Sequence, residues 1–159
     1  MLKRARHHAA WAVVVVVAAL TIGTGGGVAS PGAHAAKRKT VNVRTTANLS
    51  LVKKRGNVLK ERGTATGTLA GSVKARFDIS NAAKTTGSVT FYPNGGGSLT
   101  VTVVGYPQSV GTVARFSGSL AVRKGTGRFS DATGSGTFTG TVNRRTWHIT
   151  VNASSRLTY

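Results

Sequence analysis

From Val41 onward the chain alternates apolar and polar residues with a period of two, the pattern of half-buried β-strands. In Val41–Leu51 the positions Val41, Val43, Ala47, Leu49 and Leu51 share one side, and Asn42, Arg44, Thr46, Asn48 and Ser50 the other. Lys53–Asn57 reads as a basic turn and Val58–Arg62 as a weak, short strand. The strongest pattern covers 68–79, where Leu69, Val73, Ala75, Phe77 and Ile79 oppose Thr68, Ser72, Lys74, Arg76 and Asp78. After a polar turn at 81–86, Val89 and Phe91 alternate with Ser88, Thr90 and Tyr92. Pro93–Gly97 supplies the backbone freedom of a hairpin loop. Leu99, Val101 and Val103 make the next strand, and 105–111 the next loop. Ala114, Phe116, Leu120 and Val122 then share a face, followed by a turn at 124–127. In 134–142 the apolar side holds three glycines with Phe138 and Val142, and a turn at 143–145 follows. The last strand sets Trp147, Ile149, Val151, Ala153, Leu157 and Tyr159 against Thr146, His148, Thr150, Asn152, Ser154, Arg156 and Thr158.

Seven clear strands and one weak one follow each other through short turns, with no helix pattern among them. The expected fold is all-β: a single antiparallel up-and-down (meander) β-barrel of about eight strands, preceded by a signal peptide. Closure into a barrel removes the exposed sheet edges. Glycines on the inward face (Gly71, Gly118, Gly134, Gly136 and Gly140) permit the bends that closure needs. A two-sheet sandwich is the alternative.

The first 35 residues follow another plan. Lys3, Arg4 and Arg6 precede the apolar stretch Ala9–Ile22, and a small, polar segment ends in Ala33-His34-Ala35. That is the build of a secretory signal with an A-x-A cleavage site. At 14 residues the apolar stretch is short for a bilayer span. The expectation is a signal at 1–35, cleaved after Ala35, with Ala29 and Ala36 as other cut sites. Residues 36–159 would then be a secreted barrel domain with a basic N-terminal segment at 36–62 and no transmembrane segment. Lys37-Arg38-Lys39 is expected to be a mobile end.

Charge changes the functional picture. Lys and Arg number 22 against 3 acidic residues, and with 19 basic residues beyond the signal the mature part carries +16. Such a field attracts polyanions. Lys53, Lys54, Arg55, Arg144 and Arg145 are the candidate polyanion-binding residues. The aromatics belong to the apolar set, so the basic surface lacks the interleaved stacking platforms of single-strand binders. The expected partner is an anionic cell-envelope polymer or polysaccharide, with no sequence-specific nucleic acid. Phe77, Phe91, Phe116, Phe138 and Trp147 are candidate ligand-binding residues in the barrel interior, for a small hydrophobic molecule.

Other chemistry is thin. The chain has no cysteine, which excludes disulfides and thiolate metal sites. Past the signal it has one histidine, His148, on a polar face, and three carboxylates, Glu61, Asp78 and Asp131. That is too little for a metal site, and no carboxylate pair for glycoside hydrolysis stands out. Glu61, between Lys60 and Arg62, reads as a locally paired surface charge, and no charge is expected on the apolar face. Gly95–Gly97 and Gly125–Gly127 join strands to strands, without the helix N-terminus of a phosphate loop. No catalytic residue, metal or cofactor is assigned.

The stretches Arg115–Leu120, Gly125–Phe129 and Gly134–Gly140 resemble the glycine-punctuated C-terminal half of the barrel shared by allene oxide cyclases and dirigent proteins. In style the chain is also similar to small secreted actinobacterial proteins. Gly125–Gly134 stands where those families have a G-T-G-aromatic…A-x-G segment joining two strands. The resemblance implies an eight-stranded antiparallel barrel, with a homo-oligomer such as a trimer as an option. It implies an apolar interior able to take a small ligand. The polar cavity residues of dirigent proteins find no counterpart in this alternation.

Overall fold

A computed structural model describes residues 38–159 of the chain. The expected signal segment lies outside them. Eight strands follow in order: β1 (Thr40–Arg55), β2 (Val58–Gly67), β3 (Gly71–Asn81), β4 (Lys84–Pro93), β5 (Ser98–Pro107), β6 (Val113–Thr126), β7 (Thr133–Asn143) and β8 (His148–Thr158). A one-turn 3-10 helix, Gly127–Phe129, links β6 to β7. Every strand pairs antiparallel with its neighbours in sequence, and β8 returns to β1 to close the barrel. The closed meander, not the sandwich, is the fold.

Closure reaches both ends of the described chain. The backbones of Lys39 and Tyr159 exchange two hydrogen bonds, 2.8 and 3.0 Å. Lys39 is therefore part of the ladder, not of a mobile end. The described part of the basic segment forms all of β1 and the first half of β2.

Alternation sets which side chains point inward. Val43, Ala47, Leu49, Val73, Val89, Leu99, Val101, Phe138, Ile149 and Leu157 are among the buried residues of one continuous core. The elements differ from expectation mainly at their ends. The weak strand is ten residues long and runs on to Gly67. Residues 68–70 turn out of the expected strand, and Leu69 is buried within that turn. β6 continues to Thr126, past a register shift opposite Thr100 and Val101.

The two ends of the barrel differ. At one end the 3-10 turn folds inward, and Phe129, only 1 % exposed, closes the interior with Tyr159 5.1 Å from its ring. The approach depends on Gly97 (φ +77°) and Gly127 (φ +59°), whose left-handed backbones suit glycine. A Cβ on Gly127 would stand 3.1 Å from the Gly97 Cα, so the two turns also fit closely together. The other end carries the β1–β2, β3–β4, β5–β6 and β7–β8 connections and is open.

Candidate functional site: the barrel mouth and the basic face

The open end holds a cavity of about 220 Å³. Phe77, Phe116, Phe138 and Trp147 line it, with Val103 and Ile149 among the aliphatic residues. Phe116 and Phe138 meet edge to face, with ring centroids 6.0 Å apart, a geometry that aromatic quadrupoles favour. Four of the five interior aromatics singled out from the sequence thus meet at one place. Phe91, 7 % exposed, belongs to the deeper core.

Arg115 and Arg144 also line this cavity, and both are exposed at its rim. The β5–β6 loop ties them together: its Thr112 carbonyl accepts from the Arg144 N–H at 2.8 Å, and its Ser109 hydroxyl from the N–H of Arg115 in β6 at 2.9 Å. Trp147 has a positive φ of 56°, which is rare for a bulky residue and strained. Its N–H donates to the Asn143 carbonyl at 2.7 Å, and the Lys54 ammonium stands 4.7 Å from its ring centroid. That contact joins the end of β1 to the β7–β8 connection. Lys53, Lys54, Arg55, Arg144 and Arg145 accordingly stand at the same end of the barrel, around its mouth.

Glu61 overturns the reading of a surface charge. It is 1 % exposed, points into the barrel opposite Leu51 and Ala75, and neither carboxylate oxygen has a hydrogen-bond partner. Its place is one inward position below Leu59, which lines the cavity. Burial without a partner disfavours the charged form and pushes its pKa up to about 7. The apolar face therefore does carry one ionisable group. The clue lay in the parity of β2: if Lys60 and Arg62 point out, Glu61 points in with Leu59, Gly63 and Ala65.

The outer face of β2 and β3 concentrates positive charge. Lys60 stands directly opposite Arg76, and Arg62 opposite Lys74. On the other side of β2, Lys53 is opposite Lys60 past a bulge at Val52. A shallow groove runs over these side chains, bounded by Ser88, Thr90 and Tyr92. The Lys74 ammonium lies 5.1 Å from the Tyr92 ring centroid. Asp78 sits at the margin, where the Ser80 hydroxyl and backbone N–H hold its carboxyl below the usual range. Lys74 and Arg76 stand on the polar strand face expected from the alternation, but their register opposite Lys60 and Arg62 cannot be seen in single strands, so the candidate polyanion-binding residues came from turns instead.

Family models, curated proteins and solved structures were all compared with this chain, and none matches.

His148 does meet a hydroxyl, with Nδ1 3.3 Å from the Ser50 Oγ on the exposed outer surface. The three carboxylates are engaged elsewhere: Asp78 with Ser80, Asp131 with Ser130, and Glu61 inside the barrel. The pair thus lacks the orienting acid that activates a nucleophile in a triad. Among the described residues no group of three or more acids or histidines could hold a metal ion.

Proposed function

We propose that the chain is an exported, non-enzymatic barrel that adheres to anionic polymers of the cell envelope or its surroundings. The observation that carries this reading is the in-register array of Lys53, Lys60, Arg62, Lys74 and Arg76 on one outer face. Like charges placed directly opposite destabilise a sheet. A surface made only for solubility has no need to align them, and an anionic chain lying along the groove would neutralise them together. The signal-like first segment fits a protein that works outside the cell.

Titration with polyglutamate, polyphosphate and neutral dextran tests the proposal. Both polyanions should bind and dextran should not. Affinity should fall at least tenfold between about 0.1 and about 1 M salt, as the screening length drops from about 10 to about 3 Å. The combined variant Lys60→Gln, Arg62→Gln, Lys74→Gln and Arg76→Gln should lose most of the binding, whereas Arg123→Gln with Arg156→Gln should keep it. Equal losses per charge removed in the two variants would show that net charge alone, and not this face, is responsible.

A second reading has its own observation. The mouth cavity supports binding of a small hydrophobic molecule, in keeping with the resemblance to the dirigent and allene oxide cyclase barrel.

A further inference from the structure

We propose that the barrel mouth is a binding site for a single-ring aromatic carboxylate, its ring in the apolar chamber and its carboxylate at Arg115 and Arg144. This rests on the second reading above and names the ligand class.

Size comes first. A dry apolar cavity of about 150 Å³ suffices for benzene, and ordinary ligand sites begin at about 300 Å³. At about 220 Å³ the mouth fits one ring with a short side arm and excludes larger polycyclic molecules. Lining comes second. Phe77, Phe116, Phe138 and Trp147 offer ring faces and edges to an aromatic guest, which offset and edge-to-face contacts favour over a flexible chain. Charge comes third. Among the described residues no carboxylate lines the cavity, and its only charged lining residues are Arg115 and Arg144, both exposed at the rim. Planar guanidinium groups match a carboxylate with paired hydrogen bonds. Lys54, held over the Trp147 ring, adds positive potential at the same rim. An anion would therefore be drawn to the opening, and its apolar end would be the part that desolvates inside.

The experiment is calorimetric titration of the full chain with phenylacetate, toluene and phenethylamine, which share a ring and differ in charge. Phenylacetate should bind about tenfold to a hundredfold tighter than the other two, the range expected of charge-assisted hydrogen bonds. Arg115→Gln with Arg144→Gln should remove that preference, bringing phenylacetate to the level of toluene. Gly105→Val should block all three probes. Gly105 lines the cavity, and a Cβ there would sit 3.5 Å from the Phe138 ring, an ordinary contact. Ala114→Leu fills the same space from β6 and serves if the first filler fails to fold.

Toluene and phenylacetate binding equally well, with both arginine replacements neutral, would overturn the anion assignment and leave the cavity reading standing. No binding of any probe would bring down the cavity reading itself. Phenylacetate binding that survives both fillers, but falls with Lys60→Gln and Lys74→Gln, would show surface charge at work and also overturn the proposal.

Discussion

At the residue scale, Glu61 is the residue whose environment most contradicts its chemistry. A carboxylate deprived of water and given no partner is expelled from its charged form. The native state therefore holds a proton that the unfolded chain releases at lower pH. Because the folded pKa, about 7, lies above the ordinary 4.5, stability is greatest below about 4.5. It falls as pH rises between the two values and is level above about 7. A displacement of that size corresponds to about 3 kcal/mol. Glu61→Leu should flatten the profile, making the variant more stable than the parent by about 2–3 kcal/mol at pH near 8, with a much smaller change at pH near 5. Urea unfolding at the two pH values measures this. A parent whose stability does not change between them would mean that Glu61 finds a partner in solution. The same residue shows a limit of reading from composition. The run Lys60-Glu61-Arg62 looks like a surface charge cluster until the parity of the whole strand is followed, and Gly63 and Ala65 give that parity only a faint apolar signal.

At the element scale, what could be read and what could not divide along a physical line. Alternation over β3, β5, β7 and β8 was plain, because each strand buries one face in a common interior. Strand order followed from the shortness of the turns. The clustering of Phe77, Phe116, Phe138 and Trp147 at one end was not visible, since it depends on strand tilt and stagger around a closed barrel. Nor was the inward fold of Gly127–Phe129, which has no period and looks like an ordinary turn. Yet Phe129 is among the most buried side chains of the molecule. It packs into the end of the barrel opposite the mouth cavity. Phe129→Ala should cost about 3–5 kcal/mol, as large aromatic deletions in cores do, and denaturant unfolding measures it. A loss below about 1 kcal/mol would mean that neighbouring side chains refill the space. Phe91→Ala should be comparably costly, because that ring also lies in the core. Trp147→Ala should cost much less, for the ring stands at the mouth and its positive φ is already strained.

At the scale of the whole molecule, charge is not spread evenly. The outer face of β7, β8 and β1 is dominated by Thr, Ser and Asn, joined across strands by bonds such as Thr46 Oγ1–H to Asn152 Oδ1 at 2.8 Å and Thr150 Oγ1–H to Asn48 Oδ1 at 3.0 Å. Lys60, Arg62, Lys74 and Arg76 face each other on β2 and β3 instead, and Arg115 and Arg144 stand at the mouth. Such segregation sets stability and binding against each other. Lys60–Arg76 and Arg62–Lys74 repel in the folded barrel and separate when it unfolds, so screening should stabilise the native state. The same screening weakens attraction to a polyanion. Raising salt should therefore increase the unfolding free energy while it reduces affinity for polyphosphate. Lys74→Gln reproduces both effects without salt. It removes a repulsion worth about 0.2–1 kcal/mol for directly opposed like charges and also one cation from the groove. The variant should melt higher at low ionic strength, bind polyphosphate more weakly, and show a smaller response to salt in both measurements. Thermal melts and titrations on one preparation, at low and high salt, decide it. If Lys74→Gln lowers stability at low salt, the contact of Lys74 with Tyr92 outweighs the repulsion, and the basic face is better explained by packing than by a polyanion laid across it.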